Sequence, residues 1–538
     1  MKKNVKRGIS LLLCCVIILA FAACKKTDGG SAATTPPPAD GGGTPAPGES
    51  AAPPPAASGK DTLTVAVSGD GGTLDPIGVG GSGGFLNVVL CYTEPLWDYK
   101  AGMEWVGVLA TSIDEVSYTQ YTVHMREGVK FSNGNDFTAE DALFTLKLYA
   151  ADPGRGLYTR ALDLENTKVI DDYTLDLRLA YYDCTQIQGL GQVLIVDAES
   201  YNAETATVNP IGTGPYVVSE YVIGSHTTLK ARDDYWGKKA AIPTIKFVVL
   251  NEDSQVVNAL ETETIDVSRV PTQDIDFVKG FPGFNVGMVY SGLCTDIGFN
   301  VTENSIFNDV DARFAIAHAT NTQAIVDLVY NGYATKSDYP VSMASIDYEA
   351  RLGGLNDTYK IGYNLELAQQ YADKSGLTGK RIVIITNGAT PFITMAEILQ
   401  ANLKDIGVDA VINNYDAASF FSVTTDPTMY DLTVNQTAAP TLMAADMLYN
   451  YVLFSSALSA GGWPGFERFM ELGAGLMATP SAAERSDTLY EMSKIFVDAC
   501  PWFGVCDLQN ATAYSKDIVG FEYWGIGDVR YQDWSFAS

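Results

Sequence analysis

The sequence has few of the residues that build metal and redox sites. Three histidines occur in 538 residues, and more than ninety positions separate each from the next. None of the eight cysteines belongs to a Cys-x-x-Cys pair. Neighbouring histidines therefore cannot build a zinc site, and a thioredoxin-like redox motif is excluded. We expect a protein without a cofactor.

Positive charge is also scarce. Lys and Arg total 35 against 64 Asp and Glu, which gives a formal net charge of −29. Because nucleic-acid binding needs a basic surface, we expect no nucleic-acid partner. Hydrophobic residues at 46% and aromatic residues at 11% suffice for large cores, which excludes a mainly disordered chain.

Long apolar runs are absent beyond the N-terminus. Four cations at positions 2–7 precede an uncharged run at 8–23, the order typical of a signal peptide. The run is shorter than the roughly 20 residues of a membrane span. It ends in Phe21-Ala22-Ala23-Cys24, which resembles a bacterial lipoprotein box. We predict a signal peptide at 1–23 and lipid on Cys24, which would anchor the exported protein to the outer face of the cell membrane or in the periplasm. The alternative is a plain signal peptide with an incidental cysteine.

The segment at 24–60 predicts a flexible linker. From Thr27 to Lys60 it consists almost wholly of Gly, Pro, Ala, Ser and Thr. Such a composition cannot bury a core, so we expect a disordered spacer of partly polyproline character.

The central part of the chain has an α/β pattern. Arg381 to Thr386 reads as a strand, residues 395–406 carry apolar side chains at helical spacing, and 408–412 alternate as a second strand. This series predicts a parallel crossover of an open α/β sheet. Asn364 is placed to cap a helix at 365–375 that stops at Gly376, and Asn321 is placed to cap one at 322–330.

The region before it predicts antiparallel strands. Residues 121–125 and 175–179 alternate between apolar and polar side chains, and Asn133-Gly134 is a turn signal. Thr138 opens a helix with acidic residues in its first turn. We therefore predict an antiparallel insert with at least one helix.

A longer pattern resembles a known family. The run Tyr121 to Lys147, which contains Y-T-V-H-M-R-E-G-V-K-F-S-N-G, resembles the signature of the family 5 extracellular solute-binding proteins, the peptide and nickel receptors of ABC importers. Further matches occur in the family's order: Thr73-Leu74-Asp75-Pro76, Glu94-Pro95-Leu96, Gly212-Thr213-Gly214-Pro215-Tyr216, Asp234-Tyr235-Trp236-Gly237, Ile265-Asp266-Val267, Phe299-Asn300 and Ala499-Cys500-Pro501.

The resemblance implies an α/β, two-lobed periplasmic-binding-protein-like fold of type II, with two hinge crossings and an inserted subdomain. We expect lobe 1 at 61–293 plus 507–538, with the insert at 99–205, and lobe 2 at 294–506. A cleft between lobes is where closure removes water from a ligand. The implied protein is a monomeric receptor, not an enzyme, with a small-molecule or oligopeptide ligand and ABC permease subunits as partners.

The family's amine anchor is missing. Peptide-binding relatives pair the ligand's free amine with an Asp two residues after a Gly-Trp-Cys triplet. Here Gln436 stands in the Trp place and Ala439 in the Asp place. A buried ammonium without a carboxylate is costly, so we expect an ordinary peptide held by its N-terminus to be disfavoured. Asp446 is either a substitute or a surface acid.

The resemblance also bears on the cysteines. Cys294 lies at the first hinge, where some relatives bridge to the triplet, but Thr437 occupies the partner's place. Cys506 lies in the second hinge strand. We expect Cys294 and Cys506 to be neighbours, either in a disulfide or as two buried thiols.

The ligand-binding candidates are aromatic residues, polar residues, a glycine and the wall formed by Val270 and Pro271, and for each the alternative is core packing or a plain structural role. They are Gly72, Tyr92, Val270, Pro271, Phe421, Asn435, Thr437, Trp463, Trp502 and Asp507.

Two other functions are alternatives to a transport receptor. Residues 78–84 match the nucleophile pattern Gly-x-Ser-x-Gly around Ser82, so a secreted hydrolase is one alternative function. Neither His226 nor His318 has a visible triad partner, so we favour a loop near the cleft. A sensor or adhesion lipoprotein without a transporter would keep the same fold.

Overall fold

The computed structural model describes residues 60–78, 85–100, 104–152, 154–337, 341–355, 361–438, 443–524 and 528–537. The predicted signal peptide, Cys24, nearly all of the linker, Ser82 and Ala439 lie outside the described residues. Within those ranges, no helix is both long and apolar enough to cross a membrane.

The strands are β1 (Thr62–Val67), β2 (Trp97–Tyr99), β3 (Trp105–Gly107), β4 (Ala110–Ser117), β5 (Gln120–Met125), β6 (Lys168–Asp171), β7 (Thr174–Arg178), β8 (Tyr216–Val222), β9 (His226–Ala231), β10 (Thr244–Val249), β11 (Val267–Val270), β12 (Phe284–Phe299), β13 (Ala334–Lys336), β14 (Arg381–Thr386), β15 (Asp409–Asn414), β16 (Leu432–Ala438), β17 (Trp502–Ser515), β18 (Ile518–Val519), β19 (Tyr523–Trp524), β20 (Asp528–Val529) and β21 (Ser535–Phe536).

The helices are α1 (Leu86–Val89), α2 (Ala139–Ala151), α3 (Gln186–Leu190), α4 (Ala203–Ala206), α5 (Asp253–Glu261), α6 (Ile275–Lys279), α7 (Val310–Ala319), α8 (Thr322–Val329), α9 (Leu365–Ser375), α10 (Thr390–Asp405), α11 (Ala417–Thr424), α12 (Ala444–Phe454), α13 (Phe466–Met477) and α14 (Ala482–Ala499).

One continuous sheet runs through the molecule. Its strand order is β15-β14-β16-β12-β17-β11-β1-β10-β9-β8, and β13 pairs with β17 beside this path. The long strands β12 and β17 pair antiparallel from Phe284 opposite Ser515 to Gly298 opposite Trp502. They therefore belong to both halves of the sheet and connect them.

The pairing of these two strands is interrupted at mid-length. The register shifts between Tyr290 and Cys294, where residues 291–293 of β12 oppose a shorter segment of β17. Such a bulge bends the strand and breaks its ladder locally. This break lies between the two lobes, at the place where the resemblance implies the hinge crossings.

The predicted α/β crossover is confirmed. Strand β14 pairs with β15 in parallel, from Arg381 opposite Asp409 onward, and α10 connects the two strands. The helix α9 begins after Asn364, whose side chain accepts a hydrogen bond from the Leu367 backbone N–H, and ends at Gly376, where φ is +71°. Glycine adopts this left-handed conformation without a Cβ penalty.

The predicted antiparallel insert is also confirmed. Strands β4, β5, β7 and β6 form an antiparallel sheet in that order. Helix α2 packs on it and begins with a capping box between Thr138 and Asp141. The buried residues of this region, such as Val123, Phe131 and Leu175, form their own core.

Separate apolar cores support the two halves. One cluster is built entirely from buried residues between Cys294 and Cys506. Another combines residues from the beginning of the described chain, such as Leu63, with residues from its end, such as Trp534. Because the chain returns to its first half at the end, the lobes are joined by more than one crossing.

Candidate functional site

The parallel strands of both halves point their carboxyl ends at the hinge. In lobe 1, β11 is parallel to β1 and ends at Val270, opposite Ala511 of β17. In lobe 2, β16 is parallel to β14 and ends at Ala438, opposite Leu293 of β12. Ligands of open α/β sheets bind outside the carboxyl ends of the strands. Two such edges therefore face each other across the hinge.

The lobe 2 edge carries a set of polar side chains. At the end of β14, the Thr386 hydroxyl lies 3.0 Å from Asn414 Oδ1 at the end of β15. The next residue, Asn387, donates from Nδ2 to Asn435 Oδ1 on β16 over 2.9 Å. Amide and hydroxyl groups of this kind can give up a hydrogen bond to each other and form one with a polar solute, which fixes the orientation of the solute.

Asp296 is the charged residue of this edge. It lies on β12 directly opposite Asn435, and its side chain is fully buried. The Thr437 hydroxyl donates to Asp296 Oδ2 over 3.0 Å. Burial raises the pKa of Asp296 to about 7, an effect that the nearby Trp502 and Thr437 side chains partly oppose. The second oxygen, Oδ1, has no hydrogen-bond partner among the described residues.

Two stacked aromatic rings adjoin this carboxyl group. Tyr451 of α12 and Trp502 of β17 stack with their centroids 4.1 Å apart and an interplanar angle of 21°. The Trp502 indole N–H acts on Asp296 as a hydrogen-bond donor and lowers its pKa. Its alignment is poor, so it makes no hydrogen bond of full geometry with any described residue. Burial, followed by the charge of Asp296, raises the pKa of the Tyr451 hydroxyl.

Asp507 lies on the same face of the sheet. Directly paired residues of antiparallel strands share a face, and Thr437, Cys294 and Asp507 form one row across β16, β12 and β17. Asp507 accepts hydrogen bonds from the Ser342 hydroxyl at 2.8 Å and the Met343 backbone N–H at 2.7 Å. Burial raises its pKa to about 6.

The insert contacts lobe 2. Arg160 Nε donates to Asp183 Oδ2 over 2.9 Å, and its NH2 group lies 3.6 Å from Asp446 Oδ1 on α12. The Cys184 backbone N–H also donates to the Met477 carbonyl oxygen of α13 over 3.0 Å. These contacts join the insert directly to lobe 2.

Asp446 is therefore not a surface acid. It is 2% exposed, and Asn450 donates a hydrogen bond to its Oδ1 in addition to the approach of Arg160. Its carboxylate already has a cationic neighbour from the insert.

Of the two alternatives for Cys294 and Cys506, the structure has the buried thiols and not the disulfide. All five cysteines that the structure describes are thiols, Cys294 and Cys506 among them. Cys294 pairs with Asp507, whereas Cys506 pairs with Thr295 and its Sγ lies 2.9 Å from the Thr295 hydroxyl. Since successive side chains of a strand point to opposite faces, the two thiols lie on opposite faces of the sheet. They are neighbours in the ladder, and both are buried, which was the alternative.

Two of the predicted ligand contacts are placed in cores. Tyr92 is 2% exposed and donates its hydroxyl to the Leu74 carbonyl oxygen over 2.7 Å. Trp463 is 3% exposed, donates to the Leu458 carbonyl oxygen, and packs against Phe469 and other rings. Core packing, the alternative that the sequence left open, therefore describes both residues.

The other candidates fall into two groups. Asn435, Thr437 and Trp502 lie on the lobe 2 parts of β16 and β17 near Asp296, and Asp507 lies at the boundary between the lobes. Trp502 is 2% exposed and belongs to the same apolar core as Trp463. Gly72 is exposed after β1, and Val270 and Pro271 follow one another at the end of β11, so these three mark the lobe 1 edge. Phe421 is 50% exposed on α11 and belongs to neither group.

Sequence reasoning missed Asp296, Asn387 and Arg160. A signal for Asp296 was present, because a single carboxylate interrupts the otherwise uncharged run L-C-T-D-I-G-F. A charge within a buried strand needs a partner or a function. The positions of Asn387 and Arg160 depend on contacts with distant residues, so no local pattern could have identified them.

Comparison with known proteins agrees with this architecture. Residues 104–457 match the family described as bacterial extracellular solute-binding proteins, family 5 Middle. The chain is 28% identical to the oligopeptide-binding protein AppA of Bacillus subtilis, over 56% of this chain and 59% of AppA. It is 26% identical to the nickel-binding periplasmic protein of Escherichia coli, over 61% and 67% of the two chains.

Solved structures share the fold. The ABC transporter substrate-binding protein CtaP of Listeria monocytogenes superimposes with a TM-score of 0.78 at 17% identity, over 89% of this chain and all of CtaP. AppA of Bacillus subtilis in complex with a nonapeptide superimposes with a TM-score of 0.73 at 19% identity, over 89% and 99%. The chain belongs to the family 5 bacterial extracellular solute-binding proteins, which are substrate-binding proteins of ABC transporters and not enzymes.

Proposed function

We propose that this protein is a cell-surface lipoprotein that captures an oligopeptide or similar polar solute between its lobes and delivers it to an ABC permease. The observation that carries the proposal is the pair of carboxyl-end strand edges that face the hinge, one of which is lined by Asp296, Asn387 and Asn435. The relatives named above as oligopeptide-binding and nickel-binding proteins support a polar solute.

The proposed mechanism is a shift of population between open and closed forms. A solute that contacts both edges favours closure by its differential affinity for the two forms. The direct contacts between the insert and lobe 2 include the approach of Arg160 to Asp446 at 3.6 Å and the hydrogen bond from the Cys184 backbone N–H to the Met477 carbonyl oxygen. In this mechanism the solute supplies the additional free energy of closure, and the permease recognises the closed form.

The proposed lobe boundaries are 61–293 plus 507–538 for lobe 1, with the insert at 99–205, and 294–506 for lobe 2. The core cluster that runs from Cys294 to Cys506 supports this division. We further propose that the protein is a monomer in solution.

The proposed anchor is lipid on Cys24 after removal of residues 1–23. Its support is the order of charged residues, apolar run and Phe21-Ala22-Ala23-Cys24. Mass spectrometry of the N-terminal peptide from membranes should find a diacylated cysteine at its start. The Cys24→Ser variant should appear in the soluble fraction, and wild-type protein in that fraction would contradict the anchor.

A thermal-shift screen tests the binding role. The screen would take tetrapeptide pools, sugars, amino acids and nickel–histidine complexes in turn. A solute at a hundred times its Kd stabilises by about 2.7 kcal/mol, so the Tm should rise by several degrees. Lack of a shift with every class would contradict the proposed function.

A further inference from the structure

The sheet is interrupted on both edges of β17 at the same level. On one edge, the pairing with β12 shifts register between Tyr290 and Cys294. On the other edge, β13 pairs as far as Leu508 and β11 pairs from Ala511 onward, so no described strand pairs there with residues 509 and 510. Both interruptions lie beside the boundary between the lobes. The backbone ladder at this level therefore does little to hold the lobes in one alignment.

A rigid turn of lobe 2 lies beside this gap. It comprises residues 331–333, which follow α8 and directly precede β13, and we call it the hook. Asn331 and Gly332 are both left-handed, with φ of +47° and +80°, a conformation that asparagine and glycine adopt most readily. The Gly332 backbone N–H donates to the Val326 carbonyl oxygen over 2.9 Å. The main chain of the hook is therefore fixed by its own helix.

The tip of the hook packs into lobe 1. The Tyr333 ring lies against the apolar cluster that contains Val270, Ile275 and Val278. The last two belong to α6, the helix that begins shortly after the lobe 1 edge at Val270 and Pro271. An aromatic ring that joins the core of another lobe buries apolar surface, which stabilises the contact. The ring therefore holds the hook against α6.

Hydrogen bonds complete the contact with α6. Lys279 Nζ donates to the Tyr333 hydroxyl oxygen over 2.7 Å and lies 4.4 Å from the centroid of its ring. The same hydroxyl donates to Asp276 Oδ1. Asn331 Nδ2 donates to the Gln273 carbonyl oxygen over 3.2 Å. The lobe 1 partners are exposed, so each bond alone contributes little, but together they fix the direction from which the ring enters.

A further bond crosses the same gap within the sheet. The Tyr290 hydroxyl of β12 lies 3.0 Å from the Thr335 hydroxyl of β13. Tyr290 is paired with Gln509 of β17, and Thr335 is paired with Asp507. The bond therefore reaches over β17, from the lobe 1 part of the sheet to the lobe 2 part. Side chains join the lobes at the level where the ladders are interrupted.

We propose that Tyr333 is a positioning residue for solute binding. It clamps α6, and with it the lobe 1 edge at Val270 and Pro271, in one alignment with the lobe 2 edge that carries Asn387 and Asn435. Displacement in a rotation grows with distance from the axis, so a contact beside the hinge stays in place in the open and closed forms. This inference rests on the proposed function, closure of the lobes around a solute.

The hook affects affinity without touching the solute. A solute that contacts both edges needs the lobes in one alignment. Lobes that can also twist or slide against each other have additional freedom, which binding must remove, and affinity falls accordingly. The hook limits this freedom before the solute arrives. A merely structural role would change the free energy of unfolding and leave the alignment of the folded lobes and the affinity as they are.

The test compares wild type with Tyr333→Phe, Asn331→Gly and the double variant. Tyr333→Phe keeps the packing of the ring and removes the hydroxyl contacts. Asn331→Gly keeps the left-handed turn and removes the bond to Gln273. Dyes on Glu165→Cys in the insert and Ala483→Cys in lobe 2, both exposed positions, report the separation of the lobes by single-molecule energy transfer.

The solute-free transfer distribution should be broader in each single variant than in wild type, and broadest in the double variant. Calorimetry takes the probes of the thermal-shift screen: tetrapeptide pools, sugars, amino acids and nickel–histidine complexes. For the probe that wild type binds, Kd should increase about tenfold in the double variant, as expected for the loss of a few exposed hydrogen bonds. The control is Tyr363→Phe, which removes the hydroxyl of a tyrosine exposed elsewhere on lobe 2 and should leave Kd within about twofold.

A mutant cycle identifies the contact itself. Lys279→Met should weaken binding, and its addition to Tyr333→Phe should have little further effect, because both substitutions remove the same hydrogen bond. Additive effects would show that the two side chains act independently and would overturn the clamp.

The remaining outcomes separate the two proposals. Broader solute-free distributions together with weaker binding support the inference. An unchanged solute-free distribution in the double variant overturns it, and so does a broader distribution with unchanged affinity, because the hook would then not position the edges for binding. Wild-type protein that binds none of the probes contradicts the proposed function, and the width of the solute-free distribution then decides the inference alone.

Discussion

Asp296 and Asp507 are two buried carboxylates on one face of the same sheet, in adjacent cross-strand rows. Asp507 has a donor for each oxygen, Ser342 and the Met343 N–H, and so ties the segment at 341–343 to the hinge strand. Asp296 has one donor of good geometry, the Thr437 hydroxyl at Oδ2, and the Trp502 indole acts on the carboxyl group only through a poorly aligned N–H. Two carboxylates that are equally buried can therefore differ in how completely the surrounding donors satisfy their oxygens.

Matched Asp→Asn substitutions test this difference most strongly. Asp507→Asn places an amide N–H against groups that donate, so it should lower the free energy of unfolding by about 3 kcal/mol. At pH 5, where the Asp296 carboxyl group is protonated, Asp296→Asn should change it by no more than about 1 kcal/mol, because the neutral amide replaces a neutral group of the same shape. Urea denaturation followed by tryptophan fluorescence measures both. Equal losses of unfolding free energy in the two variants would contradict the proposed difference between the two carboxylates.

The pH dependence of stability should separate the two residues next. Both pKa values are raised above the usual value for Asp, so each group favours the folded state while protonated, and its contribution is lost as pH rises through the folded pKa. Between pH 5 and 7, wild type should lose about 2 kcal/mol relative to Asp296→Asn. Relative to Asp507→Asn, wild type should also lose stability as pH rises, but this loss should level off about one pH unit lower, because the pKa of Asp507 is about 6. Parallel profiles of wild type and both variants would contradict these assignments.

A smaller effect is expected from the hydroxyl that positions Asp296. Thr437→Val removes the donor to Oδ2 and should cost about 1 kcal/mol of unfolding free energy. It should also raise the pKa of Asp296 further, because the ionised form loses a hydrogen bond. Thr433→Val on the same strand is the control. An unchanged pH profile in Thr437→Val would show that the hydroxyl does not act on the carboxyl group.

The last comparison concerns the contact between the insert and lobe 2. Arg160→Gln removes the cation between the nearly buried Asp183 and Asp446 and should lower stability by about 2 kcal/mol, because two carboxylates lose their charge partner. The radius of gyration of the ligand-free protein should increase, because the insert and lobe 2 lose one of their direct contacts. Small-angle scattering checks this, with Lys239→Gln, which removes an exposed ion pair to Asp233, as the control.

Local sequence signals predicted much of the fold. The helix after Asn364, the strand at 381–386 and the antiparallel insert are specified by caps, apolar period and turn residues that lie close together in the chain. The family motifs added the two-lobed arrangement. These features could be predicted because the residues that specify them lie close together in the chain or form a motif that can be recognised.

The site was less predictable because it depends on register between distant strands. Cys294 and Cys506 are ladder neighbours as expected, but their side chains face opposite ways, and a one-residue difference in register decides this. The bond from Thr437 to Asp296 and the approach of Arg160 to Asp446 join residues more than 140 positions apart. Whether an aromatic residue such as Trp463 is in a core or a cleft is likewise decided by tertiary packing.

The central claim is that the two strand edges close around a solute. Dyes on Glu165→Cys in the insert and Ala483→Cys in lobe 2 report the separation by single-molecule energy transfer, because both positions are exposed and the described native thiols are mostly buried. We predict a broad low-transfer population without solute and a narrow high-transfer population with a solute that binds. Identical distributions with and without a solute that calorimetry shows to be bound would contradict the account.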